Sequence, residues 1–171
     1  KKTNTGIRKN GIHCYVTKPL HIGDTLQISW TEETFSDGIS PVRLDFPVIY
    51  EDEDLLLVNK PAGMPIHPSI NHYDDSLANA AMYYFSVRNE PFTFRCINRL
   101  DRDTSGLTII AKNMLSAGIL GRNTGVKNIQ RIYLAIVTGQ TPSAGTIDAP
   151  IAREQDSVIT RCIDPVHGVS A

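Results

Sequence analysis

The segment KPAGMPIHP, residues 60–68, constrains the fold most strongly, because it places three prolines and a glycine within nine residues. Proline fixes φ and removes a backbone donor, so neither a helix nor a central strand continues through such a segment. The apolar run LLLVN directly before it has the length of a buried strand. The sequence therefore predicts a strand that ends in a rigid loop.

Helices and strands alternate after this loop. Helices are predicted at LANAAMYYFSV, with Asp75 or Ser76 as the N-cap, and at NMLSAGILGR, with Asn113 as a possible cap. Strands are predicted at LTIIAK, RIYLAIVTG and SVITRCI, and the second of these alternates with Tyr133 on one face. This order predicts a mixed α+β domain around a sheet.

A separate β unit is predicted at the N-terminus. Asn10-Gly11 indicates a hairpin, Gly23-Asp24 marks a second turn, and TLQIS alternates like a strand. The polar segment TEETFSDGISP then indicates a linker. We therefore divide the chain into a β unit at 1–31, a linker at 32–45 and a main domain at 46–171.

Composition narrows the class of protein. With 41% apolar residues the chain can bury a core, and no apolar run is long enough to cross a membrane. The three cysteines are far apart and suit neither a disulfide framework nor a zinc site. We expect a cytoplasmic protein without a metal.

Charge is unevenly distributed along the chain. The net charge of −1 argues against a nucleic-acid partner, but residues 1–30 carry +4, residues 31–55 carry −7 and residues 95–131 carry +5. Two basic zones therefore flank an acidic connector. These zones suit either an RNA partner or ordinary solvated faces, and charge alone does not choose between the two.

The segment INRLDRDTSGLTIIAKN, residues 97–113, places dense charge directly before a strand. Hydroxyls and backbone N–H groups at Thr104-Ser105-Gly106 are suited to donate to Asp101 and hold it ionised, and Arg99 and Arg102 lower the cost of that charge. An ionised Asp101 can serve as a nucleophile or a general base. A charged turn that caps the next strand is the alternative, and on this pattern alone it is favoured.

The motifs of two classes of carboxylate-based hydrolase do not match the sequence around this segment. DTSG lacks the preceding apolar strand and the Thr-Gly pair of aspartic proteases. DRDT differs from the motif of haloacid-dehalogenase phosphatases, because its threonine comes one residue early. The apolar strand also follows DRDT, whereas in those phosphatases it precedes the motif. Neither family accounts for this segment.

A third resemblance spans most of the chain. NRLDRDTSGLTIIAKN resembles the signature of the RluA-type pseudouridine synthases, and IYEDEDLLLVNKPAGMPIHPS resembles their earlier block. RIYLAIVTG, APIAREQ and HGVSA resemble later segments, in the family's order, within residues 46–171. NGIHCYVTKPLHIGDTLQI is similar to the end of the S4-type RNA-binding module. The resemblance implies a largely antiparallel sheet with flanking helices, C-terminally incomplete here.

The resemblance implies an activity and its catalytic residues. The family isomerises uridine to pseudouridine in structured RNA without a cofactor, and the S4-like piece favours large-subunit ribosomal RNA ahead of transfer RNA. Asp101 becomes the catalytic carboxylate, which either attacks the sugar carbon or removes a sugar proton. Tyr133 lies against the flipped uracil and helps to remove the C5 proton.

The resemblance also implies RNA contacts. Arg99 fills the gap left by the flipped nucleotide or grips the backbone beside it, and Arg102 is placed with it on RNA. Lys60 and His67 contact phosphate or brace the site, with a structural role favoured for His67. His72 is assigned to the surface.

Two departures from the family pattern qualify these expectations. Asn98 stands where the family often has histidine, and an amide cannot take up a proton. A later family segment resembling Thr-Gly-Arg-x-His-Gln-Ile-Arg is absent, so we expect the 171-residue chain alone to be inactive. A non-catalytic RNA-binding module of the same fold is the alternative function.

Overall fold

The computed structural model describes residues 6–31, 38–125, 129–155, 157 and 160–169. Contacts divide the chain into two compact units, Lys1–Gln130 and Arg131–Ala171. None of the described helices is long and apolar enough to cross a membrane. The functional boundaries expected after residues 31 and 45 stay predictions.

A small antiparallel sheet forms the start of the first unit. Its order is β2-β1-β3, with β1 at Gly6–Lys9, β2 at Ile12–Cys14 and β3 at Leu26–Ser29. Asn10 and Gly11 have φ of 51° and 80°, which a two-residue hairpin turn requires. The predicted β unit is confirmed as secondary structure, and its likeness to an S4-type module stays a prediction.

A second antiparallel sheet, of order β4-β5-β6, organises the rest of the first unit. Its strands are β4 at Val48–Glu51, β5 at Leu55–Lys60 and β6 at Gly106–Ala111. The predicted strands at LLLVN and LTIIAK are therefore confirmed, and β4 adds an edge that periodicity did not indicate. With two helices beside it, this sheet confirms the predicted α+β class.

The two helices begin at predicted caps. α1 (Leu77–Ser86) starts at Ser76, whose Oγ accepts from the backbone N–H of Asn79 while the Asn79 side chain accepts from the backbone N–H of Ser76. α2 (Met114–Gly125) starts after Asn113, whose Oδ1 accepts from the backbone N–H of Ser116 at 2.9 Å.

The core lies between this sheet and α1. Its buried side chains come from alternate positions of β5 and β6, from one face of α1 and from the connecting loops: Leu56, Val58, Ile110, Leu77, Ala81, Phe85, Ile66, Phe92 and Phe94. Phe85 and Phe92 stack with their ring centroids 4.0 Å apart. This core fixes β5 and β6, and with them the loops at their ends.

Part of the predicted linker is packed against α1. The Asn79 side chain donates to the Ser40 carbonyl at 2.8 Å, and the Val42 N–H donates to the Asn79 carbonyl at 3.1 Å. Ile39 also lies against the core. Residues 38–45 therefore belong to the packed unit, whereas residues 32–37 of the predicted linker lie outside the described residues.

The second unit differs from its predicted structure. Residues 131–137 of the predicted strand RIYLAIVTG form no strand, and Ile132 and Leu134 are exposed. The prediction was wrong because alternation is not sufficient, since a strand also needs a partner. The described pairings in this unit join β7 (Ile151–Arg153) to β8 (Arg161–Ile163) and, by one bridge, Ile151 to Val169. β8 confirms the end of SVITRCI, and Val158 and Ile159 lie outside the described residues.

Glu51 is the polar tie between β4, α1 and the end of β6. It accepts from Tyr84 Oη at 2.7 Å, Arg88 Nη1 at 3.0 Å and Lys112 Nζ at 2.9 Å. Partial burial raises the pKa of Glu51, but the hydrogen bonds from Arg88, Lys112 and Tyr84 outweigh it and lower the pKa to about 2.

Replacing Glu51 with Gln should lower the free energy of unfolding at neutral pH by about 2 kcal/mol. The folded pKa of about 2 lies below the ordinary value of 4.5. The stabilisation is therefore present above about pH 4.5 and lost as the pH falls toward 2. Urea unfolding should show the difference between wild type and Glu51→Gln shrinking over that range, while the exposed Glu53→Gln control matches wild type throughout.

Candidate active site

The two segments that sequence analysis singled out lie at one edge of the second sheet. β5 ends at Lys60, which pairs with Gly106 at the start of β6. The proline loop, residues 61–68, therefore leaves the sheet where the charged loop, residues 98–105, enters it. Gly106 has a φ of 135°, which other residues rarely adopt, so a glycine suits this junction.

The side chain of Lys60 joins the proline loop to the charged loop. Its side chain is fully buried, and Nζ donates to the carbonyls of Pro61 at 2.9 Å, Met64 at 2.7 Å and Arg102 at 2.9 Å. Burial lowers the pKa of Lys60, and the charges of Asp103 and Asp101 oppose that shift. The three carbonyl acceptors match the three donors of an ammonium group.

This geometry corrects the expected contact between Lys60 and RNA. An ammonium has three donors, and all three carbonyls around it lie within the protein. The side chain has no exposed surface on which a phosphate can bind. Lys60 instead holds the proline loop and the charged loop in a fixed relative position.

Asp101 lies on the charged loop with its side chain exposed. Its backbone carbonyl accepts from the Thr104 N–H at 3.1 Å, which closes a turn. Within the described ranges no group donates a hydrogen bond to the Asp101 carboxylate. The expected support from the Thr104 and Ser105 hydroxyls is therefore not formed, because water solvates an exposed carboxylate without help.

The two arginines beside Asp101 have different surroundings. Arg102 pairs with Asp103 through two contacts, Nε–Oδ1 at 3.0 Å and Nη2–Oδ2 at 3.1 Å. Arg99 is exposed and makes no such pair with any described residue. Arg99 is thus the cation of this loop with its donors available to a ligand.

His67 stands on the proline loop and faces the core with one side of its ring. The ring packs edge-on against Phe94 with centroids 5.2 Å apart, and its other side is exposed. Burial, and then the nearby charge of Arg99, lowers the pKa of His67. The packing supports the structural role, and contact with RNA stays a prediction.

Sequence analysis missed a polar chain that braces the charged loop. His72 is half-buried, not on the surface as assigned; its Nδ1 lies 2.6 Å from Asp75 Oδ2, and its Nε2 lies 3.4 Å from Arg102 Nη1. Since an arginine only donates, the contact with Arg102 requires Nε2 to accept and Nδ1 to carry the proton. The signal available in the sequence was the i,i+3 spacing of His72 and Asp75.

Tyr133 belongs to the second unit and is 59% exposed, on a segment without regular structure. Its ring is therefore accessible, and it does not serve as a core residue. The role of Tyr133 against a uracil stays a prediction.

Residues 54–167 match the family described as RNA pseudouridylate synthase. This match covers more than half of the chain and includes both the proline loop and the charged loop. The chain also resembles a solved structure, human RNA pseudouridylate synthase domain containing 1, with a TM-score of 0.58 and 28% identity over 72% of this chain and 46% of that one.

Bacterial relatives align over most of the chain. The RNA pseudouridine synthase YjbO of Bacillus subtilis is 36% identical over 159 residues, which are 91% of this chain and 56% of the relative. Ribosomal large subunit pseudouridine synthase D of Pseudomonas aeruginosa is 36% identical over 135 residues, which are 78% of this chain and 42% of the relative. The chain spans about half the length of these relatives.

Replacing Lys60 with Met should destabilise the fold by roughly 3 kcal/mol, because three carbonyls lose the buried donor that joins them. The exposed Lys18→Met variant removes the same charge without burial and should unfold like wild type. Chemical unfolding measures both. Equal stability of Lys60→Met and Lys18→Met would contradict the assignment of Lys60 as the tie between the loops.

Proposed function

Because the chain belongs to the RNA pseudouridylate synthase family, we propose that it carries the catalytic carboxylate of an RNA uridine isomerase, Asp101. The observation that supports this most directly is the state of that side chain. It is exposed, and no described residue donates a hydrogen bond to its oxygens. Lys60 holds the loop that carries Asp101 by donating to the Arg102 carbonyl. A reactive oxygen needs both access and a fixed position.

The proposed reaction moves a bond within one nucleotide. The N1–C1′ bond breaks, the uracil rotates, a C5–C1′ bond forms, the C5 proton leaves and N1 takes up a proton. Asp101 either attacks C1′ to form a covalent ester or removes the C2′ proton so that a glycal forms. Both routes begin with an unhindered carboxylate oxygen, which the exposure of Asp101 supplies.

The target uridine has to leave the helix before Asp101 can reach its sugar. Arg99 stands two residues before Asp101 with its guanidinium exposed, so it is positioned to stack in the vacated space or to bind the flanking phosphate. Arg102 is a weaker candidate for RNA, because its Nε and Nη2 already donate to Asp103. Tyr133 is proposed to lie against the uracil.

Large-subunit ribosomal RNA is the proposed substrate, with transfer RNA as the second choice. Relatives from Pseudomonas aeruginosa and Borreliella burgdorferi are named ribosomal large subunit pseudouridine synthase D. The basic stretches at residues 1–30 and 95–131 add the charge that an RNA backbone attracts.

Replacing Asp101 with Asn in the full-length protein should abolish turnover and preserve RNA binding. Tritium release from 5-tritiated uridine in large-subunit ribosomal RNA should fall at least about a thousandfold, while the Kd for the same RNA stays within about threefold. The exposed Asp45→Asn variant is the matched control and should keep wild-type turnover. If wild type releases no tritium and still binds the RNA, the protein is a non-catalytic binding module.

Replacing Arg99 with Ala should weaken RNA binding more than replacing Arg102 with Ala, because only Arg102 is already paired within the protein. If Arg99 contacts a phosphate, the slope of log K against log salt should fall by about one for Arg99→Ala. Filter binding at several salt concentrations measures this. A larger effect from Arg102→Ala would show that the Arg102–Asp103 pair opens on RNA.

A further inference from the structure

The outer edge of β6 carries a ladder of four hydrogen bonds that leads to the charged loop. Two are made by backbone: the Ala111 N–H donates to the Arg95 carbonyl at 2.9 Å, and the Ile97 N–H donates to the Ile109 carbonyl at 2.8 Å. Residues 95–97 thus run antiparallel to β6 as a short continuation of the sheet. Cys96 forms a bridge with Ile110 within this stretch.

The next two rungs are made by a side chain. The Ile109 N–H donates to Asn98 Oδ1 at 2.8 Å, and Asn98 Nδ2 donates to the Leu107 carbonyl at 3.0 Å. The side-chain amide has the same donor and acceptor as a peptide group, so it takes the place that the next backbone unit of a strand would occupy. The ladder of hydrogen bonds along β6 therefore continues at Asn98, although the backbone there turns away from β6.

The backbone of Asn98 is held as well. Its carbonyl accepts from Cys96 Sγ at 2.9 Å. Burial raises the pKa of the Cys96 thiol to about 12, so this donor stays protonated. Asn98 is therefore anchored through its side chain to β6 and through its carbonyl to the preceding residues.

We propose that Asn98 is the positioning residue for the charged loop: by taking two rungs of the β6 ladder, its amide frees the backbone to turn outward and sets where Arg99 and Asp101 stand. The inference rests on the proposed function, since it assigns Asn98 a role in that reaction. Asn98 contacts neither RNA nor Asp101 in this role. It acts from one side of the loop, and Lys60 acts from the other through the Arg102 carbonyl.

The test compares two asparagines at opposite ends of β6 in the full-length protein. Asn98→Ala removes both rungs. Asn113→Ala is the matched control, because Asn113 also donates one bond, to Asp54 Oδ1 at 2.7 Å, and accepts one, from the Ser116 N–H at 2.9 Å. Asn98→Asp keeps the size and the acceptor of Asn98 but, when ionised, loses the donor to Leu107.

The readouts are kcat from tritium release, the Kd for the same RNA, and the Tm of each variant, with assays run below the lowest Tm. We expect kcat to fall about tenfold to a hundredfold in Asn98→Ala and Asn98→Asp, with Kd within about threefold, as for a displaced catalytic group. Asn113→Ala should lower Tm and leave kcat unchanged.

Wild-type kcat in folded Asn98→Ala would overturn the inference. So would a parallel loss of kcat and RNA affinity in Asn98→Ala and Asn113→Ala, because that pattern reports lost stability alone. If Asn98→Ala does not fold, Asn98→Asp decides on the same criteria. If wild type itself turns over no uridine, the proposed function is wrong and the inference about Asn98 fails with it. If wild type is active and Asp101→Asn is not, the proposed function holds, and the Asn98 variants then test the role of Asn98 alone.

Discussion

The buried ammonium of Lys60 is the interaction on which the rest of the candidate site depends. A lysine without exposed surface is costly unless every donor is used, and here three carbonyls from two distant loops use them. The proline loop is stiff on its own account, and the ammonium extends that stiffness to the charged loop. The charged loop is thereby fixed next to the end of β5 and the start of β6.

The site separates the groups that hold the structure from those proposed to contact the substrate. Lys60, Asn98 and the pair of His72 with Asp75 make their contacts within the protein. The side chains of Asp101 and Arg99 stand on the same loop without hydrogen bonds to described residues. This division suits the proposed catalysis on RNA, because the proposed carboxylate keeps its solvation until a nucleotide binds, and the supporting groups hold its loop in place.

Local signals predicted most of the first unit, since the strands at LLLVN and LTIIAK and the helices after Ser76 and Asn113 depend on periodicity and capping within a few residues. The errors depend on distant partners. Lys60 is buried because residue 102 supplies a carbonyl, which spacing along the chain does not reveal. The strand expected around Tyr133 failed because alternation cannot report whether another strand lies beside it. For Asp101, the motif predicts a role but not the exposure of the side chain.

The amide at position 98 has a chemical consequence for the whole loop. Unlike the imidazole common at this position in the resembling family, an amide does not change its hydrogen-bonding capacity between acidic and mildly basic solution. The rungs at Leu107 and Ile109 therefore do not depend on the protonation state of the side chain that makes them. The hold that residue 98 has on the charged loop therefore adds no titrating group of its own.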